Sequence, residues 1–441
     1  VTDAGSSGAP EGQSDSQSLA ESESADPLGE LANRVKELEA DKKKREDADK
    51  AKKEKEAQQP SLKLGGQLVI DSLWFSQSPS SRSALGDIQD AFDFRRARLY
   101  AQGEYQSFNY AAGFDFAQGT ATNGRPTFLD NYIGVGDLPI VQNLRIGHFF
   151  EPFSLERSSS NRWSTFIERS LPDAFAPSRN LGAMLFGQNQ DQSFYWAVGT
   201  FRGDTDNFGD DSGDRTGQTF DTRLVFRPYY DEQSGGRYYM HLGGAYSFRA
   251  APDGEMQYRS RPEAFGNSDS NNPATPYFVD TGTLAAINGQ LFGQEFLWVN
   301  GPLSLQSEYV FAPVNQAGGP TATFQGGFVT TSFFLTGEHR PYNRESASMD
   351  RIRPRNNFSP AAIGDRCNPG IGAWEIAARL SFIDLDDANV RGGVLRDTTF
   401  GTNWYLSPYH RMKFDYIVAD LDRTVSHTHT HIFGLRFDTD F

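Results

Sequence analysis

The chain has 441 residues, a net charge of -15 and a mean hydropathy of -0.58, and it contains no run of eighteen apolar residues. These values exclude a membrane-spanning helix, which needs about 20 mostly apolar residues, and a protein that is basic enough overall to bind nucleic acid. They leave a transmembrane β-barrel open, because its strands alternate apolar and polar residues and average out polar.

The first 60 residues predict a disordered segment followed by a charged helix. Residues 1–25 are mostly Ser, Gly, Asp, Glu and Gln, which cannot offset the entropy of ordering. From Asp26 to Pro60 the pattern predicts a helix that carries an apolar seam at coiled-coil spacing, Leu28, Leu31, Val35 and Leu38. A solvated helical spacer and a short oligomerising coiled coil both fit. Because the chain begins at Val1, we expect that a leader has been removed, which keeps export open.

From residue 61 to residue 441 the apolar residues recur with period two, which is typical of β-strands with one apolar face. We predict sixteen strands, near 62–76, 91–105, 108–118, 126–135, 143–150, 182–188, 193–202, 218–228, 237–249, 285–299, 302–312, 323–336, 371–384, 395–406, 410–421 and 428–441. A soluble sandwich also alternates. Strands of about ten residues, joined by short and long connections in turn, favour an all-β, sixteen-stranded antiparallel outer-membrane barrel instead.

One connection breaks this pattern. Residues 337–370 form a long link, rich in Arg and Pro, where a short turn is expected, and we interpret it as a periplasmic excursion with no assigned role. It contains Cys367, the single cysteine, which excludes an internal disulfide and a cysteine-based metal cluster.

The sharpest cluster of charge lies in the second predicted strand, at Arg95, Arg96 and Arg98. If the apolar residues of this strand face lipid, Arg96 and Arg98 face the lumen, and Arg95 points outward unless a β-bulge re-aims it. Arg offers a planar fork of donors that fits phosphate or carboxylate and stays charged at physiological pH. The cluster therefore indicates an anion path, and the alternative is a structural network of ion pairs.

Several motifs, in order along the chain, resemble the phosphate-selective porin O and P family: Leu62-Lys63-Leu64-Gly65-Gly66, Phe94-Arg95-Arg96-Ala97, Leu155-Glu156-Arg157, Ile167-Glu168-Arg169, Leu335-Thr336-Gly337-Glu338 and Gly372-Ala373-Trp374-Glu375. The resemblance implies a trimeric barrel whose third external loop folds inward as a constriction. It also implies a central pair of arginines, a further arginine on that loop, and a ladder of arginines that guides anions inward.

Carried over by position, the resemblance makes Arg95 and Arg96 the central pair, Arg169 the loop arginine and Ser160 the loop serine near the anion. Arg157 replaces a family lysine. Arg259 and Arg261 match part of the ladder, and Glu263 stands where the family has another arginine. Arg96 and Arg169 are then expected to face each other across the narrowest part of the pore.

The last predicted strand carries His427, His429 and His431 on one face, outward and near the external rim. In-line residues on one strand face lie about 7 Å apart, too far to share one ion, so we expect no metal there and favour rim polarity or a subunit contact. No arrangement of residues typical of an enzyme stands out.

The sequence thus predicts a homotrimeric outer-membrane porin of a Gram-negative-type cell, without cofactor, through which small anions diffuse, phosphate or related oxyanions. An even strand number places both ends of the barrel, and the N-terminal helix, in the periplasm. Two alternatives stay open. One is a general diffusion porin whose arginines face Glu104, Glu156 and Glu168, and the other is a structural barrel that anchors a helix tethered to the cell wall.

Overall fold

In the computed structural model, sixteen antiparallel strands close into a barrel, as the alternation predicts. The described residues are 31, 34–47, 59–117, 125–203, 208, 217–267, 274–360, 370–424 and 426–441. The strands are β1 Lys63–Gln77, β2 Ala91–Tyr105, β3 Phe108–Asp115, β4 Asn131–Leu138, β5 Gln142–Phe150, β6 Arg179–Gln188, β7 Phe194–Arg202, β8 Gln218–Tyr230, β9 Tyr238–Ala250, β10 Leu284–Asn300, β11 Leu303–Gln316, β12 Ala322–Phe334, β13 Ala373–Asp387, β14 Val390–Tyr405, β15 His410–Arg423 and β16 Ser426–Asp440.

Closure comes from pairing of the first strand with the last. β1 and β16 run antiparallel from Gln67 opposite Asp440 to Gln77 opposite Thr430. The terminal Phe441 adds two backbone hydrogen bonds with Gly66, at 2.9 and 3.2 Å. A closed sheet leaves no strand edge with unpaired N–H and C=O groups, which is the condition for spanning a bilayer with strands.

The two faces of the wall differ as the period-two pattern predicts. On β16, Thr430, Ile432 and Arg436 are inaccessible to solvent, whereas Phe433 and Phe437 on the opposite face are about 40% exposed. The inward face carries many buried charges, among them Asp71, Arg223, Glu295, Glu375, Arg379, Lys413, Asp415 and Arg436. The apolar face therefore points away from the barrel axis, and the lumen is polar.

The connections divide the barrel into two ends. At one end, which we call the short-turn rim, most connections are brief, at residues 106–107, 139–141, 189–193, 231–237, 301–302 and 406–409. At the other, the loop rim, they are 78–90, 116–130, 151–178, 203–217, 251–283, 317–321, 388–389 and 424–425. The predicted gap between residues 384 and 395 is wrong, because β13 and β14 continue to a two-residue turn in which Ala388 has a φ of 50°.

Shorter elements lie in the connections. The connections contain a helix at Pro79–Leu85 and a helical turn at Leu155–Ser158. They also contain 3-10 turns at Asn161–Trp163, Leu171–Ala174 and Pro252–Gly254. Two-residue strands occur at Thr127–Phe128, Glu255–Met256, Arg259–Ser260, Val279–Asp280, Tyr342–Asn343 and Ser348–Met349. None of the helices in the described ranges has the length and apolarity to cross a membrane.

The chain divides into two units, Val1–Gln59 and Pro60–Phe441. In the first unit, residues 34–47 are helical, and the seam residues Leu31, Val35 and Leu38 are exposed. The predicted disordered segment 1–25, the N-cap Asp26 and the seam residue Leu28 lie outside the described residues, so these predictions stay predictions.

Connections from both rims fold into the lumen. Residues 151–178 from the loop rim form the segment that we call the constriction loop, and residues 335–360 from the short-turn rim form the segment that we call the lower segment. Phe153, Leu155 and Phe166 of the first and Ala347, Met349 and Ile352 of the second are buried. Part of the connection 251–283 also lies inside the wall, where Glu263 contacts Arg379 on β13. The interpretation of residues 337–370 as a periplasmic excursion is wrong for residues 340–352, which pack against the inner face of the wall. Residues 361–369, with Cys367, lie outside the described residues.

Gly147 in β5 lies very close to the backbone of the neighbouring strand β4. It has a φ of 146°, and a Cβ placed there would lie 2.3 Å from the carbonyl oxygen of Asn131 in β4. We expect Gly147→Ala to lower the free energy of unfolding by about 2 kcal/mol or more, because backbone atoms must move. The control is Gly244→Ala in β9, where the nearest atom to an added Cβ is the carbonyl oxygen of Gly293, 3.9 Å away. Denaturant titration of the two refolded variants should separate them, and equal midpoints would contradict the steric argument.

Candidate functional site

The constriction loop begins with a helical turn that the barrel wall caps. Glu308 on β11 accepts hydrogen bonds from the hydroxyl of Ser154 at 2.6 Å and from the backbone N–H groups of Leu155 and Glu156 at 3.1 and 2.8 Å. These N–H groups have no partner inside a helix. A wall carboxylate at that position accepts their hydrogen bonds and interacts favourably with the positive end of the helix dipole. These contacts fix the position at which the loop enters the lumen.

The loop then crosses to the opposite wall, where its carbonyl oxygens accept hydrogen bonds from side chains of β13–β16. Lys413 donates to the carbonyls of Ser164 and Phe166 at 2.7 and 2.8 Å. The other donors are Arg379 to Glu168, Asn403 to Thr165, Arg411 to Asn161 and Arg436 to Ile167. A loop inside a barrel cannot use ladder hydrogen bonds, so these side chains supply the partners that its buried backbone needs.

Glu168 is the electrostatic centre of this crossing. Its carboxylate accepts from Arg95 at 2.9 Å, from Arg96 at 3.3 Å and from Arg436 at 2.8 Å. Burial by itself raises the pKa of the Glu168 carboxyl, but the three guanidinium groups outweigh it and hold that pKa well below its usual range. One carboxylate thus holds together three like charges that otherwise repel.

Arg95 joins this group because β2 carries a bulge. The register between β1 and β2 shifts from Val69 opposite Arg96 to Ile70 opposite Phe94, which leaves Arg95 as the extra residue. The bulge re-aims Arg95 from the outward face into the lumen, where its guanidinium also lies 4.5 Å from the ring of Phe265. This is the condition under which the sequence predicted an inward Arg95.

Most other arginines named by the sequence are held by oxygen atoms. Arg98 binds Asp115 at 2.6 Å, and Arg157 binds Asp173 at 2.8 Å. Burial lowers the pKa of Arg157 to about 10, against the attraction of Asp173. Arg169 donates to carbonyl oxygens of its own loop at residues 156, 157 and 159. These contacts fix the positions of the side chains and leave the charges in the lumen.

A cavity of about 600 Å³ lies between the constriction loop and the wall. Its described lining contains eight basic residues, Lys63, Arg96, Arg98, Arg145, Arg162, Arg169, Arg179 and Arg223, and three acidic residues, Asp130, Glu151 and Glu345. Ser160 also lines it, and its hydroxyl accepts from Arg162 at 3.2 Å. The structure therefore brings Arg96, Arg98, Ser160 and Arg169 to one space, and their role in an anion path stays a prediction.

The guanidinium group of Arg96 has N–H donors that make no hydrogen bond to a described residue. Among the described residues its Nε and Nη1 have no hydrogen-bond partner, although both are shielded from solvent. Arg145 is similar at Nε, and its guanidinium lies 4.1 Å from the ring of Tyr132. Unused donors of a buried guanidinium are costly unless a ligand or water meets them. Arg96 and Arg145 therefore keep guanidinium donors that no atom of the described residues uses.

The predicted ladder residues lie elsewhere. Arg259 and Arg261 are not among the residues that line the cavity; they stack over the ring of Tyr277 at 4.2 and 3.8 Å. Arg261 also donates to the carbonyl of Thr275. Glu263, which departs from the family pattern, is buried against Arg379 at 2.6 Å. Part of the charge of this connection is therefore paired with a side chain of the wall.

The lower segment supplies residues that the sequence left without a role. Arg340 pairs with Glu375 on β13, and the hydroxyl of Tyr342 lies 2.7 Å from Nδ1 of His241 on β9. The backbone N–H of Met349 donates to the hydroxyl of Ser159 at 3.0 Å. The two inward segments, from opposite rims, therefore meet in the lumen.

Four arginines that line the cavity were not predicted as site residues from the sequence: Arg145, Arg162, Arg179 and Arg223. On strands, the usable signal is parity: Arg223 alternates with Leu224 in β8 and faces the lumen. Arg162 lies in the loop, where no periodicity applies. Arg179 and Arg223 are themselves neutralised, by Asp130 at 3.0 Å and by Glu295 at 2.7 Å.

Comparison with known proteins gives three matches of interest. The family model described as phosphate-selective porin O and P matches residues 64–441. Porin O of Pseudomonas aeruginosa is 28% identical over 392 residues, which cover 82% of this chain and 84% of that protein. An anion-selective porin from Comamonas acidovorans has a TM-score of 0.50 at 10% identity, over 87% of this chain and 100% of its own. At that identity the structural likeness concerns the fold alone.

Glu168 can be tested by removing its charge. Glu168→Gln removes the carboxylate partner of Arg95 and Arg96 and leaves Arg436 paired with Asp71, at 2.6 Å. We expect a loss of about 3 kcal/mol in the free energy of unfolding at pH 7. Because the folded pKa of this carboxyl is depressed, its contribution is complete above the unfolded value of about 4.3 and is lost as pH falls through the folded pKa.

The matched control is Glu232→Gln, which removes an exposed partner of Arg344 and should cost under about 1 kcal/mol. Denaturant unfolding of both variants and the unsubstituted protein between pH 3 and pH 7 measures the difference. A Glu168→Gln variant as stable as the control at pH 7 would show that Glu168 does not hold the loop.

Proposed function

The chain belongs to the phosphate-selective porin O and P family, and from that premise we propose that it is an outer-membrane channel through which small anions diffuse past the arginines of the lumen. The observation that carries the proposal is the excess of basic over acidic residues around the cavity. No reaction and no cofactor is needed for this activity, since the ion moves down its own gradient.

The acidic residues of the lining do not cancel this excess. Asp130 is paired with Arg179 at 3.0 Å, and Glu151 is paired with Arg249 at 2.6 Å, from outside the lining. Glu168, which neutralises part of the charge of Arg95 and Arg96, is not among the lining residues. Arg98, Arg179 and Arg223 are themselves paired with carboxylates, so the attraction for anions comes from the remaining basic residues of the lining. A confined site of reduced dielectric strengthens that attraction.

We infer that the preferred anions are phosphate and related oxyanions. Guanidinium groups match tetrahedral oxyanions through forked donors, and hydrogen bonds with charged partners are the stronger ones. Arg96, Arg145 and Arg169 offer several such sites along one cavity. A series of moderate sites lets an ion leave again, whereas one deep site traps it. The family model that matches residues 64–441 is described as phosphate-selective, which supports this choice of anion.

A general diffusion porin is the second candidate, because a specific observation favours it. Arg95, Arg96, Arg98 and Arg157 each pair with a carboxylate in the structure. If these pairs neutralise the pore completely, cations and anions pass alike. The reversal potential across a salt gradient separates the two, since it is near zero for an unselective pore of this kind.

We further propose that the protein assembles as a homotrimer, and that the short-turn rim faces the periplasm. β1 begins and β16 ends at this rim, so the chain before β1 enters from the same side. The N-terminal helix then lies in the periplasm, where it is positioned to tether the barrel to the cell wall or to pair with the helices of other copies through its exposed seam.

Arg96 provides the test of the anion path. We expect Arg96→Ala to reduce anion selectivity and to raise the phosphate concentration that half-inhibits chloride current roughly tenfold or more, since a hydrogen bond to a charged group contributes about 1.5–3 kcal/mol. Glu168 keeps Arg95 and Arg436, so folding should be retained. Arg96→Lys should keep anion selectivity but weaken phosphate relative to chloride, because the planar fork is lost.

The control is Arg82→Ala, at an exposed pair with Asp87 that does not line the cavity, which should leave both properties unchanged. Planar-bilayer recordings give the reversal potential and the phosphate inhibition for each variant. Unchanged selectivity and inhibition in Arg96→Ala would support the general diffusion porin instead.

The orientation in the membrane is tested by single cysteines in a Cys367→Ser background. Ser83 lies in the exposed helix at the loop rim, and Gln233 is exposed in a turn of the short-turn rim. An impermeant thiol reagent added to intact cells should label Ser83→Cys and not Gln233→Cys. Both should react in permeabilised cells, and the reverse pattern on intact cells would invert the proposed orientation.

A further inference from the structure

A cluster of three possible metal ligands lies on the outer surface of the wall, away from the lumen. His427 and His429 are on β16, and Asp420 is on the neighbouring strand β15, paired in register with His429. Both histidines share the outward face of β16 with Phe433 and Phe437, and all three residues lie near the loop rim. The cluster shares no residue with the anion cavity.

The nitrogen atoms of both histidines converge on one carboxylate oxygen. Nε2 of His427 lies 3.3 Å from Oδ1 of Asp420, and Nδ1 of His429 lies 3.0 Å from the same atom. The three ligand atoms lie within 4.8 Å of one another. This Oδ1 is shielded from solvent and accepts no hydrogen bond within the described part of the chain.

These distances are close to those of a tetrahedral metal site. With metal–nitrogen and metal–oxygen bonds of about 2.0–2.2 Å, neighbouring ligand atoms lie about 3.3 Å apart. The two nitrogens lie within 4.8 Å of each other, so a small movement brings all three ligand atoms to this spacing. The side chains of His427 and His429 are about half exposed, so the rings are free to turn by the small amount required.

We propose that Asp420, His427 and His429 together bind one divalent transition-metal ion of the zinc class on the outer wall of the barrel. Two imidazole nitrogens and one carboxylate are a ligand set that suits Zn²⁺, with Ni²⁺ and Cu²⁺ as competitors. A fourth ligand, such as water, would complete a tetrahedral site.

This proposal departs from the expectation of the sequence analysis that these histidines hold no metal. That expectation considered three histidines in line on one strand. In the structure the third ligand comes across the sheet from Asp420, and the rings of His427 and His429 turn toward each other to a centroid distance of 4.9 Å. His431 is engaged separately, with Nδ1 at 2.8 Å from the hydroxyl of Tyr416.

His431 therefore gives a matched control from the same face of the same strand. The experiment uses the untagged full chain, refolded in detergent and freed of metal, with Zn²⁺ as the titrant in calorimetry and Co²⁺ as the spectroscopic probe. We expect one ion per chain, with visible Co²⁺ bands typical of a low-coordinate nitrogen and oxygen site.

His429→Gln and Asp420→Asn should each weaken Zn²⁺ at least tenfold, whereas His431→Gln should change the affinity by less than twofold. All three positions are at the surface, so heat-modifiable mobility on gels should confirm that each variant folds. The proposal is overturned by the absence of saturable binding at one ion per chain, by equal affinities in all variants, or by a loss in His431→Gln as large as that in Asp420→Asn. Because the site lies outside the lumen, chloride conductance should be the same with and without Zn²⁺.

Discussion

The arrangement of the lumen depends on how one loop is held across it. Residues 151–178 leave the loop rim and cross the barrel, so their backbone lies where neither a strand ladder nor bulk water supplies partners. Glu308 caps the entry of the loop, and Lys413, Arg436 and their neighbours donate to its carbonyls at the far wall. The charges of the wall are therefore first of all the hydrogen-bond partners of this loop, and every other feature of the cavity follows from its position.

The same arginines hold the loop by ion pairs and hydrogen bonds, and they must also keep enough positive charge and free donors to attract an anion. Glu168 shows how the two demands are divided, because it neutralises Arg95, Arg96 and Arg436 from one side, while Nε and Nη1 of Arg96 stay without partners among the described residues. A guanidinium has five donors, so it can be fixed by some and bind through others. A lysine in the same place carries its charge at a single ammonium group, so it lacks the planar set of donors that lets Arg96 contact Glu168 on one side and an anion on the other.

The lower segment extends this logic to the other rim. Its Arg340 and Tyr342 are held by Glu375 and His241, and Met349 contacts Ser159 of the constriction loop. The free space of about 600 Å³ is therefore bounded by two inward segments as well as by the wall. Segments from opposite ends of the barrel that support each other are fixed more firmly than either one packed on the wall alone, since each supplies partners for the buried groups of the other.

The sequence by itself determined the barrel, because period-two alternation is a local property that every strand repeats, and it located Arg96, Arg98 and Arg169 through local motifs. The sequence also predicted that Arg95 points into the lumen if a β-bulge lies at that position. What only the tertiary structure decided is which groups meet: Glu168 with three arginines, residues 335–360 with the lumen, and Asp420 with His427 and His429. These contacts join residues that are far apart in the chain or lie on different strands, and they depend on register, bulges and loop paths, which side-chain periodicity does not encode.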